Sequence, residues 1–205
     1  MKQVYLDQNV SVQDVIYLDV KQAHHIFDVL RTTSKEKIRI VTKNSGVFFG
    51  HVENKPNLVI DSMVDVFEEN QSITLCCALI KQDKFEWMLQ KACELGVHKI
   101  VPFVSKNTVV KLDEKKAEKK LIRWNEILLA ATKQCNRNTL VELEPVIALK
   151  DLSNYKSECN LVAYEKENDP SKHMAHYLKD NPQSITVCIL SLIHISEPTR
   201  LGMIS

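Results

Sequence analysis

The chain has 205 residues, 44% hydrophobic and 26% charged, with a formal net charge of +1, the make-up of a globular protein with room for one large domain or, as expected here, two small ones. No apolar run approaches the roughly 20 residues that carry a helix across a bilayer, and "MKQVYLDQNV" lacks the apolar core of a signal peptide, so a cytosolic protein is expected. The four glycines, Gly46, Gly50, Gly96 and Gly202, fit neither G-x-G-x-x-G nor G-x-x-x-x-G-K, which excludes standard Rossmann and P-loop nucleotide sites.

In chain order, the first segment reads as short strands around one helix. "DVIYLDV" and "EKIRIVT" alternate apolar and polar residues, "GVFFGHVE" and "NLVIDSMVDVF" continue the pattern, and Gly46, Gly50 and "NKPN" mark turns. "KQAHHIFDVLR" reads as the helix, with Ile26, Val29 and Leu30 on one face; adjacent His24 and His25 would point apart, which fits packing or surface roles better than metal binding. Short strands in succession with one helix predict a small β-barrel over residues 1–70.

After the polar "FEENQSI" the rhythm changes. "ITLCCALI" is an apolar run of strand length, followed by a helix with the stripe Phe85, Met88, Leu89, Ala92 and Leu95. Asp83 with Glu86 is a plausible N-cap pair, and Gly96 is placed to end the helix in the left-handed conformation. "HKIVPFV" is a second buried strand, and a helix from about Glu114 to Cys135 carries Leu121, Trp124, Leu128, Ala131 and Cys135 at helical spacing, which places Trp124 in the core. "LVELEPV", "NLVAYE" and "SITVCIL" are further strands, with helix-capable segments around "ALKDL" and "SKHMAHYLKD". Strand and helix alternate over residues 73–189, which predicts an α/β domain with a parallel sheet covered on both faces. In such sheets ligands sit beyond the carboxyl ends of the strands.

Charge is uneven along the chain. Residues 1–70 hold eight Lys/Arg against ten Asp/Glu, whereas residues 106–137 hold nine against four; such a basic segment is either a solvated helix face or a phosphate-contacting surface. The six cysteines show no C-x-x-C spacing and lie mostly in apolar segments, so reduced, buried thiols are expected rather than zinc ligands or disulfides, and no metal is assigned.

"ITLCCALIKQDKFEWMLQKACELGVHKIVPFVSKNTVVKLDEKKAEKKLIRWNEILLAATKQCNRNTLVELEPV" resembles the ribosomal RNA small subunit methyltransferase E family, which methylates N3 of a uracil in 16S rRNA. Its landmarks are Lys81, Gln90-Lys91-Ala92, Glu94-Leu95-Gly96, Pro102, Ser105, Lys111-Leu112, Lys120, Arg123-Trp124, Gln134-Cys135, Arg137 and Pro145, with "HHIFDVLR" upstream. The resemblance implies a PUA-like RNA-binding β-barrel over 1–70 joined to a SPOUT-class methyltransferase domain over 73–189, S-adenosylmethionine as methyl donor, 16S rRNA of the small ribosomal subunit as partner, and a homodimer with a knotted C-terminal loop system. Residue by residue it makes Arg137 and Glu94 the catalytic candidates: Arg137 for substrate phosphate contact or anion stabilisation, Glu94 to orient a base or accept a proton. Arg31, Lys106, Lys111 and Arg123 become candidates for RNA contact. A non-catalytic RNA-binding module is the alternative, because the barrel and the basic helix serve either function.

After "SITVCI" the family's glycine-rich "GPEGG" loop is expected, but the chain reads "LSLIHISEPTRLGMIS". Residues 190–205 are set aside as a non-native tail, since Leu190 to Arg200 read like a translated sequencing adapter. The S-adenosylmethionine loops are thus expected to be missing, the polypeptide to be inactive, and the apolar faces of "NLVAYE" and "SITVCIL" to be exposed at sheet edges.

Overall fold

The computed structural model describes residues 2–42, 46–65, 71–104, 114–163, 173–190 and 201–203. The chain divides into two compact units, Met1–Glu68 with Lys133–Leu140, and Glu69–Thr132 with Val141–Ser205.

The first unit holds β1 (Gln3–Leu6), β2 (Val15–Tyr17), α1 (Val20–Ala23), a π-helical turn (His24–Val29), β3 (Ile38–Thr42), β4 (Gly46–Val52) and β5 (Asn57–Val64). Its sheet runs β1-β3-β4-β5-β2, parallel between β1 and β3 and antiparallel elsewhere. Among the described residues the strands expected from their spacing form one five-stranded sheet, in which no pairing joins β1 to β2. At Phe49/Gly50 the register against β5 shifts, and a Cβ on Gly50 would lie 2.8 Å from Ile40 Cδ1 and closer still to the Val59 carbonyl oxygen, so only glycine fits this bulge.

Asp19 caps α1 with a complete capping box: its carboxylate accepts from the Gln22 amide at 2.8 Å, and the Gln22 side-chain oxygen accepts from the Asp19 amide at 3.2 Å. The helix then widens, with the Leu30 amide donating to the His25 carbonyl at 2.9 Å, an i→i+5 bond. A wider turn advances each residue by less than an α-helix does. Ile26 and Phe27 are therefore buried and Leu30 packs on the core, while Val29, expected on the buried face, is 57% exposed. The core beneath is built from Ile26, Ile38, Ile40, Leu58 and Ile60, each at most 1% exposed, and burying each side chain of this size stabilises by about 1.5–3 kcal/mol.

The second unit contains β6 (Ser72–Ala78), α2 (Gln82–Glu94), β7 (Lys99–Val104), α3 (Glu114–Gln134), β8 (Glu142–Leu143), β9 (Ile147–Ala148), a 3-10 helix (Leu149–Tyr155), β10 (Cys159–Ala163), α4 (Met174–Tyr177), β11 (Ser184–Ile189) and β12 (Leu201–Met203). The order is β12-β10-β11-β6-β7-β8, with β9 also on β7, and every pairing except β10 with β12 is parallel. This is the mixed α/β fold with a parallel sheet that the alternation predicts. β11 is an interior strand between β10 and β6, contrary to the expected exposed edge, because the crossovers insert it beside β6. Three residues of the segment set aside on sequence grounds, Leu201–Met203, pair with β10; a sheet edge offers unpaired backbone groups to any extended chain.

α2 starts after Lys81 without a side-chain cap. Asp83, expected at the cap, lies inside the first turn, where its charge still faces the favourable end of the helix dipole. The helix buries Phe85, Met88, Leu89, Ala92 and Cys93. Leu95, expected on that stripe, is 81% exposed because it is the C-cap residue and its backbone has left the helix; Gly96 follows at φ +94°, the left-handed position foreseen for it. Trp124 of α3 is 2% exposed, with its ring centroid 4.6 Å from that of Phe85, so α2 and α3 share one core. The opposite partners are sheet residues: Cys76, Ala78, Val101, Phe103 and Cys188 cluster with Leu152 and Tyr155 of the 3-10 helix, and Cys159, Leu161 and Ile185 with Tyr177 and Leu178 around α4. All six cysteines are free, five of them buried.

Candidate functional site

In the second unit the carboxyl ends of the parallel strands lie level. Ala78 pairs with Phe103, and Ile189 pairs with both Ala163 and Cys77. The chain leaves β6 through Leu79, whose amide donates to the Phe103 carbonyl at 2.9 Å, and reaches exposed Lys81 at the start of α2. The residues that follow β7, β10 and β11 in sequence, 105–113, 164–172 and 191–200, lie outside the described residues, Lys106 and Lys111 among them.

Arg123 projects from α3 towards the first turns of α2. Its Nε and Nη2 donate to the two carboxylate oxygens of Glu86 at 2.6 and 2.7 Å, a two-pronged pairing that suits the planar guanidinium. The pairing holds the Glu86 carboxyl below its ordinary value, helped by the Gln82 side chain.

Glu94 stands at the other end of α2. A helix of 13 residues is about 20 Å long at 1.5 Å per residue, and four residues on, the His98 amide donates to the Ile73 carbonyl at the start of β6. Glu94 therefore sits near the amino ends of the strands, away from their carboxyl ends. It accepts from Lys91 Nζ at 2.7 Å and Gln90 Nε2 at 2.9 Å, and these bonds, Lys91 first, hold its carboxyl below the usual carboxylate range.

Arg137 belongs to the first unit, so the two catalytic candidates stand on different units. It follows Asn136, whose φ is +54°, and is itself 8% exposed. Its backbone carbonyl accepts from Tyr5 Oη at 3.0 Å, Arg39 Nη1 at 3.2 Å and Gln3 Nε2 at 3.4 Å, and Arg39 also donates to the Asn138 side chain. Three donors from β1 and β3 thus fix the main chain at Arg137. Arg39 is 6% exposed, and burial pulls its guanidinium below its ordinary value. Arg31, the remaining RNA-contact candidate, is exposed in the left-handed region at φ +47°.

Sequence reading missed Gln3, Tyr5 and Arg39. "QVYL" carries no alternation, and Arg39 reads as the solvent side of β3, although all five residues of that strand are buried. The one available signal was a charged residue inside an apolar strand. Among the described residues no group of three or more metal-ligating side chains assembles, and no helix is long and apolar enough to cross a membrane.

A parallel sheet accompanied by the basic helix α3 places the second unit among α/β proteins. The family model described as RNA methyltransferase domain matches residues 67–189, and the chain belongs to that family. Within it, the chain is 30% identical over 168 residues to ribosomal RNA small subunit methyltransferase E of Bacillus subtilis, covering 78% of this chain and 66% of that protein. It is 32% identical over 151 residues to the protein of the same name from Mesomycoplasma hyopneumoniae, covering 70% and 64%. The chain thus spans just under two thirds of these relatives. Among solved structures it is similar to the methyltransferase Lpg2936 of Legionella pneumophila in complex with S-adenosylmethionine, with TM-score 0.80, 25% identity, and coverage of 95% of this chain and 81% of that one. Ribosomal RNA small subunit methyltransferase E of Neisseria gonorrhoeae bound to S-adenosyl methionine gives TM-score 0.78 at 25% identity, covering 93% and 80%.

Proposed function

We propose that this chain is the greater part of an S-adenosylmethionine-dependent rRNA methyltransferase that modifies N3 of a uracil in 16S rRNA, with a PUA-like RNA-binding module and a SPOUT-class domain acting as a homodimer in the cytoplasm. The observation that carries the reading is the match of residues 67–189 to the RNA methyltransferase domain, on a sheet whose shape also matches a relative solved with that cofactor.

S-adenosylmethionine supplies an electrophilic methyl group. The protein must present an unpaired uracil, lower the cost of losing its N3 proton, and hold donor and acceptor in line. N3 lies on the pairing edge, so the base has to be splayed from its stack. Arg137 is assigned to a substrate phosphate or the developing uracil anion, its main chain anchored by Gln3, Tyr5 and Arg39. Arg31, Lys106, Lys111 and Arg123 are assigned to the RNA backbone. For Glu94, a carboxylate held acidic by Lys91 is a weak base, which favours orienting a neighbour over removing the proton. Residues that hold the cofactor are sought in 105–113, 164–172 and beyond Ile189, outside the described residues.

The test joins residues 1–189 to the C-terminal part of the Bacillus subtilis relative and incubates the protein with unmodified small-subunit RNA. An N3 methyl blocks Watson–Crick pairing, so reverse transcription stops one nucleotide before the modified uridine. A stop that requires S-adenosylmethionine is the expected result. A folded chimera that binds the RNA yet produces no stop and no cofactor heat in calorimetry overturns the enzyme reading in favour of a non-catalytic RNA-binding module.

A further inference from the structure

The cysteines form no metal motif in sequence, yet the sheet sets two of them side by side. Cys76 of β6 and Cys188 of β11 are register partners in a parallel pair, belong to one buried cluster, and both line a cavity of about 290 Å³ under the 3-10 helix. We propose that Cys76 and Cys188 form a two-thiolate site for a soft d10 cation of the Cu(I) class, entered through this cavity.

The spacing fits. Neighbouring strands lie about 4.8 Å apart, register partners point to the same face, and a linear sulfur–metal–sulfur unit spans two metal–sulfur bonds, each no longer than the roughly 2.3 Å of a zinc–thiolate bond. Coordination by two soft sulfurs suits Cu(I). Zinc wants four ligands, and no third metal-ligating side chain joins this pair among the described residues.

The charge also balances. Burial pushes the Cys76 thiol up to about 12 and the Cys188 thiol up to about 11, so the empty site is a neutral pair of thiols. One cation displaces both protons, forming two metal–sulfur bonds and releasing two H⁺ without any change of oxidation state, and leaves a complex of net charge −1. Lys150 and Lys156 line the same cavity and supply the compensating positive charge, with Tyr155 the other titratable group there.

Cys77 provides the control, because its neighbouring position on β6 turns its side chain to the opposite face. Under anaerobic conditions the chain competes for Cu(I) against a chromophoric chelator. It is expected to withdraw one equivalent, with affinity falling at least about a hundredfold in Cys76→Ser and in Cys188→Ser and staying within about twofold in Cys77→Ser. Circular dichroism checks that each variant is folded. X-ray absorption on the loaded, unaltered chain needs no variant, and two sulfur neighbours are expected. Failure to compete, an equal loss in Cys77→Ser, or three or more ligands around the metal overturns the proposal.

Discussion

In the first unit, polar side chains that look solvent-facing are buried: Gln3, Arg39 and Thr42 on strands and Arg137 after α3 are all at most 8% exposed, and Gln3 and Arg39 both donate to the backbone carbonyl of Arg137. In the second, the buried interior among the described residues is thiols, aliphatics and aromatics, with two buried polar side chains, Thr132 and Thr186, whose hydroxyls donate to the Leu128 and Tyr155 carbonyls at 2.7 Å. The first unit thus depends on directional bonds made by a segment far away in sequence, the second on shape and apolar area. Substitutions that remove volume should hurt the second most, and substitutions that remove a donor should hurt the first.

The largest effect is expected for Trp124→Ala. The indole is 2% exposed and packs on Phe85, so its removal should cost about 3–5 kcal/mol, read as a fall in the urea midpoint. Next is Gly50→Ala in the first unit, where the added methyl meets backbone as well as the Ile40 side chain. About 2–3 kcal/mol is expected, and a neutral result would show that the bulge relaxes. Arg39→Ala follows at about 2 kcal/mol, because it strips two charge-assisted bonds from the Arg137–Asn138 segment. Tyr5→Phe, which deletes the 3.0 Å bond to the same carbonyl and the 2.6 Å bond that the hydroxyl accepts from Gln3 Nε2, should cost about 1–1.5 kcal/mol. Arg39→Met sharpens the comparison. A smaller loss than Arg39→Ala would mean that relief from burying a cation offsets part of the lost bonding.

The same contrast governs what the residues reveal before folding. The second unit was legible because parallel strands are apolar throughout and Gly96 punctuates α2 where its φ of +94° demands glycine. β1 was not, since its polar Gln3 is satisfied by residues 134 positions away, and no local pattern carries that information. Val29 and Leu95 were misplaced for a related reason: a stripe at 3.6-residue spacing assumes an unbroken α-helix, whereas one sits in a π-helical turn and the other on a C-cap. The candidate site was legible in its landmarks alone. Arg123, Glu94 and Arg137 could be picked out one by one, but that Glu86 holds the first, Lys91 the second, and β1 and β3 the backbone of the third is a property of the fold.

The smallest predicted effect concerns Arg123 and Glu86, a two-pronged pair whose arginine side chain is 59% exposed. The folded-state pKa of Glu86 lies below its ordinary 4.5, so the bridge contributes stability above that value and loses it as pH falls through the lowered one. The difference between the unaltered chain and Arg123→Gln should therefore be flat at neutral pH, vanish in acid, and shrink in 1 M salt. A difference that persists in acid would assign it to packing of the arginine stem. The same variant bears on RNA. For Arg123 to neutralise a phosphate it must leave Glu86, and if it does, Arg123→Gln should lower the salt slope of RNA binding by about 1. An unchanged slope would mean that the guanidinium stays on Glu86, serving to fasten α3 to α2 while other cations make the RNA contact.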